Sequence, residues 1–410
     1  MNICKIYDGD YPWDVRVEKI LDALIDHGHN VQLVCRNVMR RPPVEVGRGL
    51  TIHRLHPLPG RRFNAVTSFP AFFNPRWLAR ISRVVRGQRS DVIIVRDLPL
   101  ALSAIVIGRR YGVPVLFDMA ENYPAMLRYI RQYGRFKLAD LFIRNAWAAR
   151  AVEKTVLKHC HHVFVVTEEN RQRLLDLGVA PHRVSVLMNT PRLRREIDIA
   201  SSSVSTTHHS GRPGFTAVYV GGIDPGRGLE QVLDVIPTVT DLIQGFRFQV
   251  IGNQGGDLTA LKRLARELRI DDHVAFVGWV DRCEVGRYIA QGDVGIIPHR
   301  VCSHTLTTLP NKLFDYMAYA KPVVASNMRP VRRILEAEGC GVVYERPDDL
   351  VTSLVHLSKH AETRKKMGDN GRRAVLSRYN WEHDTKVLAD ALDICLHGDT
   401  PRSSYVDPRA

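Results

Sequence analysis

Short apolar runs rich in β-branched residues recur along this chain, and between them apolar side chains return at spacings of three and four. The first half holds NICKIY, HNVQLVC, LTIHRL, DVIIVRD, VPVLFDM, HVFVVT and RVSVLMN; the second holds FTAVYVGG, FRFQVIGN, VAFVGWV, DVGIIPH, PVVAS and GVVYE. Stretches such as DVRVEKILDALIDHG carry the helical spacing, with Gly28 as the stop. Strands that are apolar on both faces and alternate with helices predict parallel sheets covered on both sides. The alternation breaks once, at EIDIASSSVSTTHHSGRPG (196–214), which is polar and without periodicity. At 410 residues the chain exceeds one ordinary core. The pattern predicts an α/β chain of two doubly wound, Rossmann-like domains. The expected boundaries are 1–195, a linker at 196–214, 215–380, a helix over 381–398 packing back on the first domain, and a tail at 399–410.

Composition narrows the setting. Seven cysteines, odd in number and without a CxxC pair, argue against a disulfide framework and for a reducing compartment. The chain opens directly into MNICKIYDG, so no secretory segment is expected. The longest apolar run, LPLALSAIVIG, falls well short of the roughly 20 residues of a membrane helix. A cytoplasmic protein is the expectation. Its charge is uneven: residues 1–210 hold 32 Lys+Arg against 18 Asp+Glu, and residues 211–410 hold 26 against 25. The two halves are therefore expected to meet different partners.

In doubly wound domains ligands sit beyond the carboxyl ends of the strands, and two such domains in series place the site in the cleft they face. Two segments carry chemistry there. VYVGGIDPGRGLE (218–230) reads as strand, glycine-rich turn and helix start, where Gly221 and Gly222 let backbone amides approach a phosphate and Arg227 adds a fixed cation. The spacing is not G-x-G-x-x-G, which disfavours a nicotinamide cofactor; the plain alternative is a tight strand-to-helix turn. TLPNKLFDYMAYAKPVVASN (308–327) holds one carboxylate, Asp315, in an otherwise apolar helix. Asn311, Lys312 and Asp315 share a face by spacing, with Leu313, Phe314 and Met317 pointing inward. Cation, carboxylate and helix start together suit a nucleotide diphosphate; the plain alternative is a surface Lys–Asp pair.

VGGIDPGRGLEQVL, DVGIIPH and LPNKLFDYMAYAKPVVAS, in this order, resemble the donor domain of family 4 retaining glycosyltransferases of the GT-B fold, and DYPWDVRVEKILDALIDHGHNVQLVCR with HHVFVVTEENRQRLLDLGVAPHRVSVLMNTP resembles the acceptor domain. The resemblance implies a GT-B protein that transfers a sugar from a nucleotide-diphosphate donor to a glycan or lipid-linked saccharide, with retention, as in surface polysaccharide assembly. It implies no protein nucleophile, no cofactor and no metal. Asp315 then stands where the family's second motif Glu holds the donor ribose, and Thr307 where the first Glu would be, so Thr307 and Thr308 offer only hydroxyls and amides. Arg227 takes the place of the phosphate-binding Lys, and Gly222 that of a companion Arg. Arg227 and Lys312 would stabilise charge on the leaving diphosphate. Asp118-Met119-Ala120-Glu121 lacks the family's His; Asp118 and Glu121 would position the acceptor hydroxyl, against a plain reading as solvated or capping groups. Gly9 and Asp10 would form an acceptor loop.

Other signals are weaker. Asp8-Gly9-Asp10 has the form of a metal-binding D-x-D but ends a strand, where a turn with solvated carboxylates is the plainer reading, and His159-Cys160-His161-His162 has ligand-type residues at adjacent, diverging positions. RRFNAVTSFPAFFNPRWLARISRVVRG (61–87) and LRYIRQYGRFKLADLFIRNAWAARAVEK (127–154) mix Arg with aromatics, as in peripheral contact with anionic lipid at the inner membrane face, or as a core face with a solvated basic one. No nucleic-acid module accompanies the basic half. Two other functions are open to this pattern: a nucleotide-sugar epimerase of the same fold, and a non-catalytic relative that binds nucleotide sugar.

Overall fold

A computed structural model of the chain describes residues 1–56, 72–134, 145–193, 214–252 and 256–397. Most of the expected linker, with His208 and His209, lies outside the described residues, as does the start of the basic stretch 61–87. The chain forms two units. The first comprises residues 1–128, 135–188 and the last helix from Thr385 on; the second comprises 189–384 together with residues 129–134.

The first unit is built on a sheet of β1 (Asn2–Asp10), β2 (Asn30–Arg36), β3 (Val44–Gly47), β4 (Leu50–Leu55), β5 (Val92–Arg96), β6 (Val115–Met119), β7 (His162–Val165) and β8 (Val184–Val186), in the order β3-β4-β2-β1-β5-β6-β7-β8. Every pairing is parallel except β3 with β4. Each strand expected from the first half is present. β3 was not anticipated, because VEVG is four residues long and exposed throughout, with no buried face to leave a periodic mark. The parallel strands are buried on both faces, as continuous apolar runs require: Ile3, Ile6, Val31, Leu33 and Val92 through Val95 have no exposed surface. Helix Val15–Asp26 starts at Asp14, whose carboxylate accepts from the Val17 amide.

The second unit holds β9 (Thr216–Val220), β10 (Arg247–Ile251), β11 (Val274–Gly278), β12 (Val294–Ile297), β13 (Val323–Ser326) and β14 (Gly341–Tyr344), all parallel, in the order β11-β10-β9-β12-β13-β14. β9 is the first strand of this sheet, with β10 on one side and β12 on the other. The order reverses between β9 and β12, so the crevice of this sheet opens beyond their carboxyl ends. Ala217, Tyr219, Leu233, Ile236, Phe248 and Ile296 form the core beneath.

Asp118 corrects both readings of it. It is neither a solvated loop group nor exposed to an acceptor: at the end of β6 it has no exposed surface. Lys5 Nζ donates to its Oδ2 at 3.0 Å, and Arg16 Nε and Nη2 donate to Oδ1 at 2.9 and 2.7 Å. Arg16 Nη1 also reaches the carbonyls of Leu187 and Met188. Burial pushes the Asp118 carboxyl up, but the Arg16, Lys5 and Arg96 cations outweigh it and hold it below the usual carboxylate range. Asp118 thus ties β1, β6 and the first helix together, and Arg16 carries the link on to the chain after β8.

Removing one member of such a buried set strands the others, at about 3–5 kcal/mol. Asp118→Asn should lower the urea midpoint accordingly. Because the carboxyl is depressed in the fold, its stabilisation is present above the unfolded value near pH 4 and is lost only below it. Unfolding curves of the two proteins should therefore stay equally separated from pH 8 to about pH 5 and converge in stronger acid. Glycine supplies a second check. Gly28 and Gly228 both have positive φ, 77° and 69°, but a Cβ on Gly28 meets nothing while one on Gly228 falls 2.1 Å from the Pro298 carbonyl oxygen. Gly28→Ala should cost about 1–2 kcal/mol for the left-handed conformation, and Gly228→Ala clearly more in the same assay.

Candidate functional site

The crevice of the second sheet is lined by the turn after β9 and the loop after β12. β9 ends at Val220; Gly221 takes φ 129° and its amide bonds to the Ile251 carbonyl at 2.9 Å. The expected helix does not start at once. Asp224 caps a single 3-10 turn, Pro225–Arg227, and Gly228 leads into helix Leu229–Leu242. Pro225 and the close approach to Pro298 explain the extra turn. The turn is held from the other side of the crevice: the Arg300 amide donates to the Gly226 carbonyl at 3.0 Å and Arg300 Nε to the Pro225 carbonyl at 3.1 Å.

Arg227 lies on this turn, half-exposed, with Nε on Asp224 Oδ2 at 2.8 Å and Nη1 3.5 Å from His299 Nε2. Asp224 is the hub: it also accepts from the Gly226 amide at 3.2 Å and from the Tyr129 hydroxyl at 2.6 Å. Burial pushes the Asp224 carboxyl up, yet Arg227 and the hydrogen bonds from Tyr129, Arg227 and Gly226 leave it below its ordinary value. His299 is buried, and burial together with Lys312, Arg227 and His304 pushes it well below the ordinary imidazole value. His304, 5.2 Å from the Tyr129 ring, is lowered to about 4 by burial and Arg227. Both histidines are neutral near pH 7 on these directions, so the fixed positive charge of the unliganded turn is that of Arg227.

Lys312 starts helix Lys312–Ala318. The expected shared face of Asn311, Lys312 and Asp315 divides in three: Asn311 is exposed, Asp315 half-buried, and Lys312 only 9% exposed. The inward stripe of Leu313, Phe314 and Met317 is buried as expected, and Tyr316 joins it, its hydroxyl accepting from the Val220 amide at 3.0 Å. Lys312 Nζ sits 3.6 Å above the centre of the Tyr219 ring and has no hydrogen-bond partner among the described residues. Tyr219 in turn donates to the Gly222 carbonyl at 2.6 Å, so the ring under the lysine also fixes the glycine turn.

The threonines act on their own loop. Thr305 Oγ1 accepts from the Cys302 amide at 2.8 Å, Thr307 Oγ1 donates to the His304 carbonyl at 3.2 Å, and Thr308 Oγ1 to the same carbonyl at 3.1 Å. In the first unit, Asp8 is held by Arg36 at 2.6 and 3.1 Å, and Asp10 accepts from the Val38 and Met39 amides at 2.8 and 3.0 Å. These carboxylates are engaged in protein contacts rather than solvated. Gly9 and Asp10 close β1, and Glu121, half-buried, follows β6. His159, His161 and His162 bond to Thr155, Val115 and Ser185 respectively and do not converge. Sequence reasoning missed Asp224, His299, Tyr219 and Tyr129. The first three were legible as polar or aromatic residues at the ends of β9 and β12; Tyr129 stands 95 residues from its partner with no local signal.

Two family matches cover most of the chain: the glycosyl transferase 4-like domain over residues 14–190 and glycosyl transferases group 1 over residues 209–374. Among curated proteins, the chain is similar to the GDP-mannose-dependent alpha-(1-6)-phosphatidylinositol monomannoside mannosyltransferase of Mycobacterium tuberculosis, 24% identical over 43% of this chain and 47% of that protein. It is also similar to the alpha-monoglucosyldiacylglycerol synthase of Acholeplasma laidlawii, 18% identical over 70% and 71%. The chain thus aligns with about half the length of the first of these. Solved structures of the same build include sucrose-phosphate synthase from Thermosynechococcus elongatus (TM-score 0.74, 17% identity, 95% of this chain and 97% of that one) and Anabaena HepE in complex with UDP (TM-score 0.72, 11% identity, 96% and 100%). At these identities the two structures speak for the fold. By its two domains and that fold, the chain is of the family 4 type of GT-B glycosyltransferases.

Proposed function

We propose that the chain is a retaining glycosyltransferase that moves a sugar from a nucleotide-diphosphate donor, held by the second unit, to a glycan or lipid-linked saccharide. The observation that carries this reading is the placement of the Arg227 guanidinium and the Lys312 amine at the glycine turn beyond β9, where the sheet order reverses. Preorganised positive charge in a water-poor site is what a leaving diphosphate needs, because its charge rises as the glycosidic bond breaks. In this reading Arg227 and Lys312 meet the phosphates, Gly221 and Gly222 let the chain approach them, and Asp315 with Asn311 holds the ribose. Thr307 and Thr308 contribute backbone rather than hydroxyls on the donor side, since their hydroxyls already donate to the His304 carbonyl.

The chemistry then needs no protein nucleophile. The acceptor hydroxyl attacks on the face the leaving group departs from, its proton passes to the departing phosphate oxygen, and the sugar keeps its anomeric configuration. Glu121, with Gly9 and Asp10, stands on the acceptor side in this reading; Asp118 supports it only by holding β6 in place. The names of the M. tuberculosis and A. laidlawii relatives, a phosphatidylinositol mannoside enzyme and a diacylglycerol one, favour a lipid-linked acceptor. Contact of the first unit with an anionic membrane is part of the proposal. Helix Pro75–Gly87 fits the plainer reading, a core face with a solvated basic one, since it buries Trp77, Ile81, Val84 and Val85 and leaves Arg83 and Arg86 exposed; the membrane proposal rests on Trp147, 82% exposed, one turn from the exposed Arg150. No helix among the described residues is long and apolar enough to cross a membrane.

A thermal-shift screen with UDP, GDP, ADP and dTDP tests the donor site. A matching nucleotide at a hundred times its dissociation constant should stabilise the fold by about 2.7 kcal/mol. Arg227→Ala and Asp315→Ala should abolish most of that shift without lowering the unliganded midpoint, and no shift with any nucleotide would refute the reading. Once a donor is found, Arg227→Ala should reduce kcat by about a hundredfold or more, the usual loss for one preorganised donor at a developing anion.

A further inference from the structure

We propose that a nucleoside diphosphate, on binding to the second unit, brings Lys312 from a proton-free position packed on the Tyr219 ring to a charged position at the phosphates, so that binding takes up one proton from solvent. The inference rests on the diphosphate reading of this site and adds to it a change of charge that the bound ligand causes.

The geometry of the unliganded site is that of a stored amine. An ammonium carries three donors and no acceptor, yet among the described residues Lys312 Nζ has no hydrogen-bond partner, and the side chain is nine-tenths buried. One wall of its slot is the Tyr219 ring. Another is Gly221, where a Cβ would stand 2.9 Å from Nζ, so the slot exists because residue 221 lacks a side chain. A ring face attracts an ammonium, but it replaces only part of the hydration that three N–H groups lose.

The charged neighbours come from every element around the slot. Arg227, on the 3-10 turn, opposes a second positive charge, whereas Asp224 on the same turn and Asp315 on the lysine's own helix favour it. His299, after β12, is buried and neutral, and the Tyr219 phenol is pushed up by burial. Burial is the largest influence and, with Arg227, holds Lys312 well below the ordinary lysine value. A diphosphate reverses both: it supplies acceptor oxygens and more than offsets Arg227. The long stem lets Nζ leave the ring and reach them. The step balances as an amine plus a buffer acid giving an ammonium plus the buffer base, with no bond of the ligand broken.

Linkage fixes the sign. A group whose proton affinity rises on binding contributes fully below its free-state value, and its contribution is lost as pH climbs toward the bound-state value. Between the two, affinity should fall by about tenfold per pH unit. The test is titration calorimetry of the full chain with UDP, GDP, ADP and dTDP at a pH of about 8, where a terminal phosphate with a pKa near 6 is already ionised. Each binding nucleotide is measured in two buffers of different ionisation enthalpy. The wild type should take up close to one proton per bound nucleotide. Lys312→Met should bind more weakly with no uptake, and Lys312→Arg, permanently charged, should also show none. Binding by the wild type with no buffer dependence, or equal uptake by Lys312→Met, overturns this inference while leaving the diphosphate site standing. Absence of binding by all four nucleotides overturns the site itself.

Discussion

Burying an amine beside a guanidinium is the costly arrangement around which the second unit's crevice is organised. Left alone, Lys312 would be driven to solvent by hydration and by Arg227. It stays because helix Lys312–Ala318 is buried nearly all round: Leu313, Phe314, Tyr316 and Met317 pin the helix against β9 and β12 and set its first side chain over the Tyr219 ring. Tyr316 reaches the Val220 amide at the end of β9, and Tyr219 reaches the Gly222 carbonyl just beyond it. The same two tyrosines that seat the lysine therefore shape the turn that carries Arg227. Cation placement and turn geometry are one packing problem.

The first unit solves the opposite problem. Lys5, Arg16 and Asp118 are as deeply buried as Lys312, but there every charge finds a partner at hydrogen-bond distance, and the result is a fixed joint between β1, β6 and the first helix. A compensated set of this kind resists change. A buried amine without acceptors, by contrast, is poised to take up a proton when an anion arrives. The distinction separates buried charge that holds a fold from a buried base that awaits a ligand, and it rests on the presence or absence of acceptors rather than on depth of burial.

The strands were legible because parallel strands covered on both faces must be apolar throughout, and such runs stand out between polar turns. β3 escaped because an exposed edge strand of four residues leaves no such trace. Of the site, Arg227, Lys312 and Asp315 were readable from spacing and charge, as was the glycine turn. The partners were not. Asp118 read as a loop carboxylate because its cations lie 113 and 102 residues away. Tyr129 meets Asp224 across 95 residues, and the stacking of Lys312 on Tyr219 needs the register between a helix and a strand that are far apart in the chain. Local patterns fix which residues are polar in a crevice; they say nothing of which polar groups have found each other.

Thr307 bears directly on the proposed chemistry. Where the resemblance calls for a glutamate, a carboxylate beside the donor would both grip a hydroxyl and repel the diphosphate. Here the loop after β12 folds its threonine hydroxyls onto its own carbonyls, through Thr305, Thr307 and Thr308, and the negative charge nearest Arg227 is Asp224. Asp224 is engaged by Arg227, Tyr129 and the Gly226 amide at once, so its charge is largely spent within the turn. In the proposed reading the donor would thus be held chiefly by cations and backbone. Selectivity for the sugar would fall to the shape of the 302–308 loop, and selectivity for the diphosphate to whether its charge can draw Lys312 from the ring.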